Sequence, residues 1–111
     1  FHCSMMHPAA EAMAEALATA NMKDAAVPVF SNVTAATETD AGTLRDNLVT
    51  QVTGRVRWRE TLLAAKDAGV SRFVEVGTGK VLSGLVKRTL NEAGIVNLDS
   101  ADDLDSVLGE L

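Results

Sequence analysis

Residues 72–94 read RFVEVGTGKVLSGLVKRTLNEAG, and this stretch decides the fold class. Its first residues form a β-rich run, which predicts a strand over 72–76. The run leads into Gly77-Thr78-Gly79, and over 80–93 apolar side chains recur at helical spacing. The pattern therefore predicts a strand, a tight glycine turn and a helix, in the order that α/β proteins use.

Helices and short apolar strands alternate through the rest of the chain as well. The expected elements are helices over 9–22, 41–52, 58–69 and after Ser100, strands over 25–33 and 95–98, and a polar loop over 34–39. This alternation predicts an α/β fold with a short, mostly parallel sheet and flanking helices. Because three short strands leave an edge and an apolar face uncovered, we expect a preceding segment to complete the domain.

The composition and charge of the chain argue against nucleic acids and anionic membranes as general binding partners. Of the 111 residues 47% are hydrophobic, and the formal net charge is −5. Such a chain is expected to form at most one globular domain and to have no general affinity for nucleic acid or anionic membranes. The sequence has no apolar run of the roughly 20 residues needed to cross a bilayer. A cytoplasmic protein is expected.

Cys3 is the only cysteine in the sequence. A lone cysteine excludes an internal disulfide and a cysteine-based metal site within this chain. Its position next to His2 suggests a thiol nucleophile, but neighbours in an extended segment point to opposite faces, so we expect a small buried cysteine. His7 lies at the start of a helix without comparable context and is expected to be a surface residue. Because the chain starts at Phe1 and not at Met, we expect a piece of a longer protein.

Four motifs resemble one family in their order and spacing. They are Phe1-His2-Cys3-Ser4-Met5-Met6, Val29-Phe30-Ser31-Asn32-Val33, Gln51 before Trp58, and the stretch from Val74 to Leu85. The chain resembles malonyl-CoA:acyl-carrier-protein transacylases over nearly its whole length. The resemblance implies that residues 1–111 are the C-terminal portion of an acyltransferase core domain with an α/β hydrolase-like fold. It also implies an inserted ferredoxin-like subdomain upstream.

The resemblance implies ping-pong transfer of malonyl from coenzyme A to a serine and then to the phosphopantetheine thiol of an acyl carrier protein. His2 matches the general base, and the backbone carbonyl of Gln51 matches the group that orients it. A serine hydroxyl needs such a base, and the base needs its other ring nitrogen held by an acceptor. Phe1 resembles the residue of malonyl-selective relatives. No cofactor or metal is implied beyond the two substrates, malonyl-CoA and the phosphopantetheinylated carrier protein.

The nucleophilic serine of the family lies upstream, in a Gly-His-Ser-type elbow that this chain does not contain. Ser4, Ser31 and Ser83 lack that context, so none of them is taken as the nucleophile. We therefore expect the chain to be inactive by itself. Separately, the full-length enzyme is expected to be a monomer. Lys87 and Arg88 form a basic pair on an acidic chain and are candidates for docking the acidic carrier protein; an ordinary solvated helix end is the alternative.

Other functions remain open on the sequence alone. The acyltransferase domain of a polyketide or multidomain fatty-acid synthase is one alternative to a stand-alone enzyme of fatty-acid synthesis. A non-catalytic α/β interaction module is an alternative of another class. A nucleotide-binding loop around Gly77 and Gly79 is a further one, but its glycine spacing does not match a Walker-type loop and Val81, not Ser or Thr, follows Lys80.

Overall fold

The computed structural model describes residues 2–111, so Phe1 and the selectivity suggested for it lie outside the described residues. Two units are distinguished along the chain. The first is Phe1–Thr61 and the second is Leu62–Leu111. Within the described residues, no helix combines the length and apolar character that crossing a membrane requires.

The first unit is built on two helices that pack against each other. A 3-10 turn over Ser4–Met6 leads into helix α1, His7–Thr19, and helix α2 is Ala41–Thr53. Arg45 of α2 holds the end of α1, because its Nε atom donates to the carbonyl of Leu17 at 2.9 Å. The same carbonyl accepts a hydrogen bond of 3.3 Å from the N–H of Ala20, so the guanidinium adds a second donor at the end of the helix, where carbonyls lack their usual i+4 partners.

The N-terminus of α2 is set by Asp40, the residue that precedes the helix. The Asp40 carboxylate accepts a hydrogen bond of 2.8 Å from the backbone N–H of Thr43. This bond, with a second from the Thr43 hydroxyl, holds the pKa of Asp40 below its ordinary value. Gly54 ends the helix, with its N–H donating to the carbonyl of Thr50. The prediction of a helix over 41–52 is confirmed.

The segment between these helices is where the predicted sheet fails. Only β1, Val29–Phe30, is a strand, and it pairs antiparallel with β2, Thr37–Glu38, inside the stretch predicted to be a loop. Val29 is 40% exposed, so this is not the buried strand that 25–33 was expected to form. The hairpin arises from a turn in which the Ala35 N–H donates to the Ser31 carbonyl. The pattern of apolar residues does not predict such a turn.

The second unit contains the predicted strand, turn and helix. After helix α3, Trp58–Asp67, which begins in the first unit, the elements are strand β3, Arg72–Val76, helix α4, Val81–Thr89, strand β4, Gly94–Leu98, a 3-10 turn over Ala101–Asp103, and helix α5, Leu104–Glu110. Strands β3 and β4 are parallel, with Arg72 opposite Gly94 and Val76 opposite Leu98. The prediction of a parallel sheet holds for this pair alone.

The core of the second unit lies between its helices and the parallel strands. Its buried apolar side chains are Leu62, Ala65, Val86, Leu90, Val96 and Val107. Helix α4 ends at Thr89 and not at 93 as the pattern suggests, because Leu90 leaves the helical region at φ −126° and ψ 78°. Leu90 is buried, and the chain turns there into β4. Helix α1 likewise ends at Thr19, three residues before its predicted end at 22.

Candidate active site

His2 stands two residues before the 3-10 turn that begins at Ser4, and its side chain is exposed. Its backbone φ is +59°, in the left-handed region that residues with a β-carbon rarely adopt. Its Nδ1 atom lies 2.5 Å from the backbone carbonyl oxygen of Gln51, which is closer than in most N–H···O hydrogen bonds. Strained residues held by specific contacts are frequent at functional sites.

The Gln51 carbonyl is available to His2 because it belongs to the last turn of α2. The final four carbonyls of a helix lack intrahelical partners, and here Gly54 takes only that of Thr50. A carbonyl can only accept a hydrogen bond, so the Nδ1 atom of His2 must donate. In the neutral ring the proton is then on Nδ1, and Nε2 is left with a lone pair that can accept a proton.

Two side-chain amides connect α2 to the loop that contains Ser31 and Asn32. The Nδ2 atom of Asn32 donates to Oε1 of Gln51 at 2.8 Å. One turn earlier in α2, the Nδ2 atom of Asn47 donates to Oγ of Ser31 at 3.0 Å. A cavity of about 190 Å³ lies beside these contacts, and its walls include Phe30, Asn32, Asn47 and Gln51.

None of the three serines considered above, Ser4, Ser31 and Ser83, forms a hydrogen bond with His2. Ser31 is buried against Asn47, and the Ser83 hydroxyl lies 2.7 Å from oxygens of both Glu75 and Asn97. Ser4 begins the 3-10 turn. Among residues 2–111 the only side-chain hydrogen bond of His2 is the one to Gln51. The described chain therefore presents an oriented imidazole without a hydroxyl nucleophile against it.

Comparisons with known proteins show which enzymes this chain is similar to. No family model matches the chain. A relative from Synechocystis sp., a malonyl CoA-acyl carrier protein transacylase, is 40% identical over 107 residues, which are 96% of this chain and 36% of that protein. The crystal structure of an acyl-carrier-protein S-malonyltransferase from Bartonella henselae superimposes with a TM-score of 0.92 at 40% identity, over 99% of this chain and 35% of that one. The chain is homologous to malonyl CoA-acyl carrier protein transacylases.

The homology covers nearly all of this chain but only about a third of the length of these transacylases. A third relative of known structure is a malonyl-transacylase in complex with a type II PKS acyl-carrier protein, with a TM-score of 0.88 at 34% identity over 99% of this chain and 36% of that one. The sequence similarity and the fold thus agree on one enzyme family.

The turn over Gly77-Thr78-Gly79 has the geometry that the glycines predict. Gly77 has a φ of +129° and Gly79 a φ of +89°, values that side chains with a β-carbon disfavour. The backbone amides near this turn are already occupied by carboxylates, since Gly79 donates to Asp99 at 3.3 Å and Ser83 donates to Glu75 at 2.9 Å. The negative charges of Asp99 and Glu75 would repel the phosphate of a nucleotide at this turn.

Cys3 and His7 differ in how well the sequence predicts them. Cys3 is exposed, so the expectation of a small buried cysteine is wrong. It lies at the start of a surface 3-10 turn, where its carbonyl accepts from the Met6 N–H and nothing covers its side chain. His7 is a surface residue as expected, and its Nε2 atom lies 3.3 Å from Glu11.

The basic pair Lys87 and Arg88 lies in the last turn of α4, and both side chains are exposed. Across residues 2–111, no three side chains of the types that bind metals come together in a cluster. The residue that sequence reasoning missed is Asn32. It stands within the quoted motif Val29-Phe30-Ser31-Asn32-Val33, but nothing in the spacing indicates that it reaches the side chain of Gln51.

Proposed function

We propose that residues 1–111 are the C-terminal portion of the core domain of a malonyl-CoA:acyl-carrier-protein S-malonyltransferase of fatty-acid biosynthesis. The observation that carries this proposal is the hydrogen bond of 2.5 Å between Nδ1 of His2 and the carbonyl of Gln51, in a chain homologous to transacylases. An imidazole held in this way has Nε2 ready to act as a base.

In the proposed reaction, Nε2 of His2 removes the proton from a serine hydroxyl supplied by residues outside this chain. The serine oxygen then attacks the thioester carbonyl of malonyl-CoA, the carbon–sulfur bond breaks, and the imidazolium returns the proton to the departing coenzyme A thiol. The second half repeats these steps in reverse with the phosphopantetheine thiol of the carrier protein. Each half-reaction transfers one acyl group and leaves His2 neutral.

The remaining parts of the proposal rest on the homology. The carrier protein is the proposed partner, supported by the relative whose structure contains one, and Lys87 and Arg88 are its proposed contacts on this chain. The complete enzyme is proposed to be cytoplasmic and monomeric, to need no cofactor beyond malonyl-CoA and the phosphopantetheinylated carrier protein, and to have an α/β hydrolase-like core with a ferredoxin-like insertion. A polyketide acyltransferase would use the same chemistry.

The test is malonyl transfer by the protein that contains this chain together with the upstream two thirds of the transacylase length. His2→Ala is expected to lower the rate of transfer by at least about a hundredfold, the usual contribution of a positioned general base. His7→Ala is the matched control and is expected to retain the wild-type rate, because His7 contacts only Glu11 on the surface.

Two outcomes would contradict the proposal. Transfer that persists in His2→Ala would remove His2 as the base. A malonyl adduct located by mass spectrometry within residues 1–111 would contradict an upstream nucleophile, and so would transfer by residues 1–111 alone.

A further inference from the structure

We propose that Asn32 is a positioning residue for His2, acting through the side chain of Gln51. The inference rests on the proposed role of His2 as the base and adds to it the residue that holds the orienting carbonyl in place. Two successive contacts make the connection: Asn32 Nδ2 to Gln51 Oε1 at 2.8 Å, and Gln51 carbonyl to His2 Nδ1 at 2.5 Å.

The position of the Gln51 carbonyl needs an anchor of this kind. It lies in the last turn of α2, where helices fray and the peptide groups tilt most readily. The hydrogen bond that the Gln51 side chain accepts from Asn32 restrains the Cα atom of Gln51, and hence the direction of its carbonyl. The side chain of Gln51 is therefore a functional part of the site, besides its main chain.

Asn32 is itself held firmly enough to serve as that anchor. Its backbone carbonyl accepts a hydrogen bond of 2.8 Å from the N–H of Arg57. The preceding residue, Ser31, is buried and closes a turn in which its carbonyl accepts from Ala35 at 3.0 Å. Asn32 thus extends from a braced loop toward α2, and its half-buried amide is partly shielded from competing water.

The chain offers a matched control for a purely structural role. The side chain of Asn47 makes the same kind of amide contact between α2 and this loop, to Ser31 at 3.0 Å, but it makes no hydrogen bond to the side chain of Gln51 or to His2. If the two amide contacts only fasten the helix to the loop, replacing Asn32 and replacing Asn47 should affect His2 equally. If Asn32 positions His2, only the replacement of Asn32 should affect it.

The decisive measurement is the tautomer of His2, read from the nitrogen-15 chemical shifts of the imidazole in the isotope-labelled protein, with His2→Gln to assign the signals. In the wild type the proton is expected on Nδ1. Asn32→Leu, which preserves side-chain volume and removes the hydrogen bond, is expected to shift population toward the Nε2–H form. Asn32→Asp is expected to retain the wild-type tautomer, because the Gln51 amide can rotate and donate to the carboxylate.

Three further variants complete the test. Gln51→Leu removes the same hydrogen bond from the helix side and is expected to reproduce Asn32→Leu, and the double variant is expected to add nothing to either. Asn47→Leu is expected to leave the tautomer unchanged. An unchanged tautomer in Asn32→Leu with native circular dichroism would overturn the inference. Should that variant not fold, the tautomer in Gln51→Leu decides in the same way.

Catalysis gives an independent readout in the enzyme that contains the serine. Asn32→Leu is expected to lower kcat roughly three- to tenfold, the range for one lost hydrogen bond, without changing KM for malonyl-CoA. A change confined to KM would contradict a positioning role. Failure of the proposed function is distinguishable, because it appears as transfer that survives His2→Ala, whereas the tautomer measurement involves no acyl transfer.

Discussion

The carboxylate of Glu75 accepts a hydrogen bond of 2.7 Å from the hydroxyl of Ser83, eight residues later in the chain. The same carboxylate accepts from the backbone N–H groups of Ser83 at 2.9 Å and Leu82 at 3.3 Å. Because Lys80 at the start of α4 makes no side-chain cap, a residue of strand β3 does so in its place. Glu75 thus joins strand and helix across the glycine turn.

The first prediction concerns the pH dependence of stability. The Ser83 hydroxyl, followed by the two backbone N–H groups, holds the pKa of Glu75 below its ordinary value of 4.5. The charged form is therefore favoured in the folded state, so its stabilising effect is present above about pH 4.5 and is lost as the pH falls through the lower, folded-state pKa. Glu75→Gln is expected to lower the melting temperature at pH 7 and to reduce its fall between pH 5 and pH 3.

Thermal unfolding followed by circular dichroism at several pH values checks this prediction. Both proteins should lose some stability in acid through Asp40, because the pKa of Asp40 is also lowered, chiefly by the backbone hydrogen bond from Thr43. If the melting temperatures of Glu75→Gln and the wild type fall by the same amount between pH 7 and pH 3, Glu75 does not contribute in this way.

The second prediction compares adjacent leucines of α3. Leu62 is 2% exposed and Leu63 is 38% exposed, so the same side chain is buried at one position of the helix and exposed at the next. Leu62→Ala is expected to cost about 2–5 kcal/mol in the free energy of unfolding, because it leaves a cavity in the core. Leu63→Ala should cost less than half as much. Urea denaturation measures both, and equal losses would argue against the assigned core.

The third prediction tests the glycine turn. A β-carbon added at Gly79 would meet no atom within 4 Å, so the cost of Gly79→Ala comes from its φ of +89° alone. We expect a loss of roughly 1–2 kcal/mol in the free energy of unfolding. Gly109, in α5, also has open space but lacks a positive φ, so Gly109→Ala should be neutral or stabilising by less than about 1 kcal/mol. A neutral Gly79→Ala would contradict the assigned turn.

The fourth prediction concerns docking of the carrier protein in the enzyme that contains this chain. Reversing both charges, as Lys87→Glu with Arg88→Glu, should raise KM for the acidic carrier, and the effect should weaken as salt is added. Hydrolysis of malonyl-CoA should be unchanged. The control variant Lys66→Glu with Arg72→Glu changes the net charge equally at other exposed positions. Unchanged carrier dependence in the first variant would exclude this pair as the docking site.

Local chemistry explains which elements could be predicted from the sequence. The strand over 72–76 has the predicted boundaries because a β-rich run ends at a glycine that the turn requires. Helix α2 begins where predicted because Asp40 caps a neighbour three residues away. The hairpin of β1 and β2 and the early end of α4 could not be predicted, since each depends on which segment is available to pair with or to bury a side chain.

The resemblance to transacylases and the choice of His2 as the candidate base follow from the sequence alone, because motifs such as Phe1-His2 and Gly77-Thr78-Gly79 have a recognisable order and spacing. The hydrogen bond that orients His2 was decided by tertiary structure. The partner of His2 is a backbone carbonyl 49 positions away, and a carbonyl has no residue-specific signature in a sequence. The contact of Asn32 with Gln51 is decided in the same way, since hydrogen bonds between distant residues exist only once packing has brought a particular helix end and loop together.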